Sequence, residues 1–145
     1  VRALGVDLGE RRIGLAVSDS QGVLASPYAT LERTGDADRD RDALVATVEE
    51  VGAGVVVVGL PLELSGRRGP AATAAVREAS ALEAALAERE IAVETFDERL
   101  TTVSAERALA DAGRTGRARR RVIDQQAAAV MLQAWLDGRQ AANGA

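Results

Sequence analysis

Three acids, Asp7, Glu98 and Asp124, have sequence surroundings that invite chemistry. In Ala3-Leu-Gly-Val-Asp7, alternation puts Leu4 and Val6 on one side of an expected strand and Ala3, Gly5 and Asp7 on the other. Asp7 is therefore a carboxylate on a face with little side-chain bulk. An Asp at a strand end also serves to hydrogen-bond the following turn, so the pattern alone allows a ligand or a turn-stabilising residue. Glu98, in Phe96-Asp-Glu-Arg-Leu100, follows an expected strand and precedes an expected helix. Ligands of α/β sheets bind at such strand ends, though a helix N-terminus also stabilises an acid that does nothing else. Asp124 heads a helical stripe continuing through Ala128, Met131 and Trp135, where an acid is out of character. Favourable interaction with the helix dipole is its other explanation.

The chain has no histidine and no cysteine. That excludes imidazole bases, thiol nucleophiles, disulfides and His/Cys zinc sites, and it leaves Ser18 and Thr101 without a triad partner. Hydrolysis then falls to carboxylates, which activate water at neutral pH by holding a metal. Asp7, Glu98 and Asp124 are expected to converge at the strand ends and hold two Mg²⁺ or Mn²⁺ ions about 4 Å apart, hard cations suited to oxygen ligands. Two such ions suit phosphodiester cleavage.

A second feature lies three residues before Asp124. The segment Arg114-Thr-Gly-Arg-Ala-Arg-Arg-Arg121 carries Arg114, Arg117, Arg119, Arg120 and Arg121 in a chain of net charge −4. A basic loop there would neutralise phosphates and steer a nucleic acid to the adjacent acids; a solvated charge run is the plainer alternative. Arg11 and Arg12 in the first turn, Arg67 and Arg68 in the loop Ser65 to Gly69, and Arg99 beside Glu98 extend the same expected surface. Aromatics are too few for a stacking platform, since only Tyr28, Phe96 and Trp135 are present. Asp36, Asp38, Asp40 and Asp42 lack the spacing of a calcium loop and read as solvated charge.

The elements that must position these residues follow from periodicity. Residues 3 to 7 and 13 to 18 form an expected hairpin, and Val23 to Leu31 a third strand made irregular or peripheral by Pro27. A helix with Leu44, Val45, Val48 and Val51 precedes the apolar run Val55 to Leu60, a strand buried on both faces. A second helix starts at Pro70 and ends near Arg89, and Ile91, Val93 and Thr95 alternate as a fifth strand. A third helix is expected from Thr101 and Thr102 to about Ala112, and a last one from Val122 to Asp137.

The order predicts an α/β fold, a five-stranded mixed sheet flanked by helices, in a single domain over residues 1–139 with a frayed tail over 140–145. A chain of 145 residues buries roughly two-thirds of its unfolded surface. No apolar run reaches the roughly 18 residues of a membrane span, and Val1 to Gly5 lead into a strand, so a soluble cytoplasmic protein with no membrane partner is expected.

Four ordered motifs resemble one family: Gly5-Val-Asp-Leu-Gly9 with Arg12-Ile-Gly-Leu-Ala-Val-Ser-Asp19, Val58-Gly-Leu-Pro61, Asp97-Glu-Arg-Leu-Thr-Thr102, and Ile123-Asp124 with Ala127-Ala128. Together they span nearly the whole chain and look like the YqgF family, also called RuvX. The resemblance implies an RNase H-like fold related to Holliday-junction resolvases, with Asp7, Glu98 and Asp124 at the motif acids. It also implies a metal-dependent nuclease acting on structured nucleic acid, either on the 5′ end of pre-16S rRNA or on four-way DNA junctions. Junction resolution would favour a homodimer. Against better-known resolvase relatives, the second acid lies after the fifth strand, since Val55 to Leu60 offers none. Arg67 and Arg68 also depart from the more neutral or acidic residues expected in the family's loop. Two other classes compete. A non-catalytic nucleic-acid-binding module would use the basic loop without the acids. Val6-Asp-Leu-Gly9 also resembles a phosphate loop of actin-like ATPases, which need two such domains, more than this length provides.

Overall fold

The computed structural model describes residues 1–102 and 116–144. Three strands come first: β1 (Ala3–Leu8), β2 (Arg12–Ser18) and β3 (Ala25–Glu32). After α1 (Ala37–Val51) come β4 (Val55–Leu60), α2 (Pro70–Leu86), β5 (Ala92–Asp97) and the long helix α3 (Arg117–Gly144). The sheet order is β3-β2-β1-β4-β5. β1 lies at the centre, antiparallel to β2 and parallel to β4, while β5 runs parallel to β4.

Alternation along the strands builds two cores. Leu4, Val6, Ile13, Leu15, Val56 and Val58 face α1 and α2, where Leu44, Val48, Leu82 and Leu86 close the layer. Full burial of each such side chain contributes about 1.5–3 kcal/mol before entropy is counted. The opposite face is built of smaller residues, Ala3, Ala16, Val55 and Val57, and receives Ala127, Ala128, Met131, Leu132 and Trp135 of α3. Small residues on both partners let this helix lie close to the sheet. α1 is capped by Asp36, whose carboxylate accepts from the backbone N–H groups of Asp38 and Arg39, while Asp40 accepts from Thr34. Part of the aspartate run is thus helix-capping chemistry.

Some boundaries differ from those read in the sequence. β3 begins at Ala25, not Val23, and its register with β2 shifts at Leu15/Ala16, opposite Pro27, the irregularity expected of proline at a sheet edge. The last helix begins at Arg117 instead of Val122, so Arg117, Arg119, Arg120 and Arg121 stand on its first turns and not in a loop. Arginine and alanine are good helix formers, and the Arg120 N–H closes the first turn onto the Gly116 carbonyl at 3.0 Å. At its other end the helix passes Asp137 and runs to Gly144, where a frayed tail is expected. One tertiary contact reaches that stretch, Gln140 donating to the Gly22 carbonyl at 2.9 Å, and within the helix the Arg139 guanidinium lies 4.9 Å from the Trp135 ring centre, four residues back. The helix expected over 103–112, and Arg114, lie outside the described residues. Among the described residues, no helix is long and apolar enough to cross a membrane.

Candidate active site

Strand register places the first two acids. Asp7 pairs with Gly14 on β2. On the other side β1 pairs with β4 up to Val6 and Val58, so the next residues along the two strands are Asp7 and Gly59. Asp7 is thus flanked by glycine on both neighbouring strands, on the face covered by α3. It is 2% exposed.

Each glycine admits one of the other acids. A Cβ at Gly14 would overlap the backbone carbonyl oxygen of Asp124 and stand 2.6 Å from its carbonyl carbon. The helix can therefore bring Asp124 down beside Asp7 only because position 14 has no side chain. A Cβ at Gly59 would overlap Oε1 of Glu98 and stand 3.0 Å from its Cδ. Glu98 is 1% exposed and Asp124 6%. Burying three acids at one end of a sheet is expensive unless cations compensate them, and an all-carboxylate donor set is one that hard divalent cations favour. Among the described residues, however, no three acids stand close enough around one point to hold a metal ion.

Asp124 is instead held by arginine. Arg12 donates from Nε to Asp124 Oδ2 at 2.5 Å, with only 12% and 8% of the two side chains exposed. The sequence places Arg12 on the expected nucleic-acid surface; in the structure its guanidinium is turned inward onto an acid.

Glu98 is held by its own motif. Asp97 caps the short 3₁₀ turn Glu98–Leu100 by accepting from the Arg99 N–H at 2.9 Å, and it binds the Arg99 guanidinium through Nε and Nη2. The Arg99 hydrogen bonds hold the Asp97 carboxyl below its ordinary value of 3.8. Thr101 donates from its hydroxyl to the Glu98 carbonyl at 2.9 Å. Arg99 also reaches the Leu64 carbonyl at 3.3 Å, tying this turn to the loop after β4. Sequence reasoning singles out Arg99 for phosphate binding and passes over Asp97 and Gly59. An acid two positions before a basic residue in a turn, and a lone glycine in a valine run, are the signals that could have found them. We expect Asp97→Ala to lose about 1 kcal/mol, as for a lost helix cap, and to lower cleavage further by freeing Glu98, which thermal unfolding and a nuclease assay would separate. Because the Asp97 pKa is depressed in the folded state, this stabilisation is complete above 3.8 and disappears as pH falls through the lowered value.

The other described arginines of the expected phosphate surface lie around the same end of the sheet. Arg11 is exposed in the turn after β1, and Arg67 and Arg68 are exposed in the loop after β4. On the first turns of α3, Arg119 is exposed, Arg117 and Arg121 approach Glu32 at 3.7 and 4.0 Å, and Arg121 donates to the Thr30 carbonyl at 3.2 Å. Arg120 is partly buried. Arg11, Arg67, Arg68 and Arg119 thus present their charge to solvent outside the Glu32 pairings.

Solved structures share this architecture. Thermus thermophilus RuvC in complex with a Holliday junction substrate matches with a TM-score of 0.61 and 16% identity, covering 97% of this chain and 96% of that one. The yeast mitochondrial Holliday junction resolvase Ydc2 matches with a TM-score of 0.52 and 15% identity, covering 92% and 77%. At those identities the likeness is one of fold, and it defines the class of architecture: an RNase H-like fold. Residues 1–138 match the family described as RuvX: Holliday junction resolvase. A Nocardioides sp. (strain JS614) protein named "Putative pre-16S rRNA nuclease" is 51% identical over 98% of this chain and 91% of its own length. One of the same name from Mycobacterium sp. (strain KMS) is 48% identical over 97% and 82%. The chain belongs to the RuvX family of resolvase-like nucleases.

Proposed function

We propose that this chain is a divalent-metal-dependent endonuclease whose site is Asp7, Glu98 and Asp124, and that it trims structured RNA at the 5′ end of pre-16S rRNA. The observation that carries the reading is the gathering of three buried acids at one end of the sheet, two of them admitted by glycines on the strands flanking Asp7. Asp7, central in the sheet, would be the shared ligand, with Glu98 and Asp124 completing the set. When bound, Mg²⁺ or Mn²⁺ supplies an activated water and stabilises the leaving oxygen. Asp97, Arg99 and Thr101 keep Glu98 in place, and α3 carries Asp124. The choice of RNA leans on the names borne by relatives 48% and 51% identical. The description of the matching family favours a second reading, cleavage of a four-way DNA junction, for which two coordinated cuts would call for a homodimer.

The test is a side-by-side cleavage assay, with Mg²⁺ and with Mn²⁺, on rRNA precursor with an extended 5′ end and on a four-way DNA junction. Cleavage of the precursor alone supports the first reading, and paired cuts in the junction support the second. Failure on both would remove the nuclease assignment and leave a non-catalytic binding module.

Arg11, Arg67, Arg68 and Arg119 would meet the phosphates, with Arg99, Arg117, Arg120 and Arg121 behind them. Replacing Arg67, Arg68 and Arg119 together by glutamine is expected to weaken binding and to reduce the slope of log K against log salt by about 0.9 for each duplex phosphate no longer neutralised. An unchanged slope in a salt titration would place the phosphate surface elsewhere.

A further inference from the structure

We infer that Arg12 is a stand-in cation for the metal site: its guanidinium holds Asp124 before metal arrives, and metal loading requires that grip to be released. This rests on the assignment of Asp124 as a metal ligand and adds a control on that site.

The geometry comes from strand parity. Arg12 opens β2 two residues before Gly14, so both lie on the face that α3 covers. The turn before it is closed by the Gly9 N–H on the Arg12 carbonyl at 2.9 Å, which fixes the backbone from which the side chain leaves. Gly14 then lets α3 approach until Arg12 Nε reaches Asp124 Oδ2 at 2.5 Å. Both side chains are nearly shielded from water, 12% and 8% exposed. A pair this sheltered is screened far less than a surface salt bridge.

A guanidinium in that position does two things. It compensates Asp124 while Asp7 and Glu98 lie buried nearby, easing the repulsion among the acids. It also repels a dication approaching Asp124 and takes a carboxylate oxygen that the ion needs. Cation and arginine therefore compete for one carboxylate. Arginine stays protonated at any working pH, so displacement by metal, not deprotonation, releases it.

The test is Mn²⁺ binding in the absence of nucleic acid, followed by calorimetry. Arg12→Gln removes the charge and is expected to bind Mn²⁺ about tenfold more tightly than the native chain, within the usual range of coupling between two sites. Arg12→Lys keeps the charge and should stay near the native affinity. If Arg12→Gln binds no more tightly, or if Arg12→Lys tightens as much, the stand-in role is wrong. Asp124→Asn in the same series separates the two claims. If it leaves Mn²⁺ binding unchanged, the metal assignment itself fails; if it weakens binding while Arg12→Gln equals the native chain, only the stand-in fails. A measurement on the native protein covers the case in which Arg12→Gln does not fold. The Arg12 Nε–H resonance, sheltered in the ion pair, should shift or exchange faster when Mg²⁺ is added, and an unmoved resonance at saturating Mg²⁺ would overturn the inference.

Discussion

Asp7→Asn is expected to abolish cleavage while leaving the fold and nucleic-acid binding in place. Asparagine matches aspartate in size, so the close packing around position 7 survives, but a neutral amide is a poor ligand for a hard dication. Metal stabilisation of a phosphoryl transition state is worth several kcal/mol, and about 4 kcal/mol corresponds to roughly three orders of magnitude in rate. The variant should therefore cleave at least about a thousandfold more slowly, while a cooperative unfolding transition shows that the fold survives. Retained cleavage would take Asp7 out of the chemistry and return it to the turn-stabilising role that its place at a strand end also allows.

The two glycines beside Asp7 should fail in opposite ways, the second large effect. At Gly14 an added methyl meets the backbone carbonyl of Asp124, which can yield only if α3 lifts from the sheet. Overpacking of that kind costs about 3 kcal/mol, a fall in Tm of roughly 10 °C for a chain of this size. At Gly59 the added methyl meets the carboxylate end of Glu98, which can swing aside. Gly59→Ala should therefore change stability by less than about 1 kcal/mol and yet lose about a hundredfold in cleavage, because the displaced group must be aligned to within about 1 Å. Thermal unfolding and initial rates on both variants distinguish the cases. Equal losses of stability would mean that the glycines are general packing positions and not separate seats for two acids.

Much of the fold is legible in the sequence because its faces differ in composition. Leu4, Val6, Ile13 and Leu15 alternate against Ala3, Gly5, Gly14 and Ala16, which locates the hairpin and shows which face can take a helix closely. The run Val55 to Leu60 is apolar throughout because its strand is covered on both sides. The three acids can be picked out individually, since each sits where an apolar or small residue is the norm. Their convergence is expected from their places at strand and helix ends, but the seats that hold them depend on register: nothing local says that Gly59 lies beside Asp7, or that Asp124, 110 positions beyond Gly14, rests on it. The inward turn of Arg12 is not legible for the same reason. A basic residue in a turn normally faces water, and its turn inward is set by a partner 112 residues away. The boundaries of α3 escape the sequence pattern because arginine suggests a loop through its charge, although its helix propensity is high, and because Gln140 finds a tertiary partner, Gly22, that local pattern does not reveal.

The most direct measurement of the three-carboxylate site is anomalous diffraction from crystals of the native chain soaked in Mn²⁺. The expected result is a manganese peak within coordination distance of Asp7, with Glu98 and Asp124 as its further ligands and the Arg12 guanidinium withdrawn from Asp124. Manganese bound only away from Asp7, or no ordered manganese at concentrations that support cleavage, would contradict it.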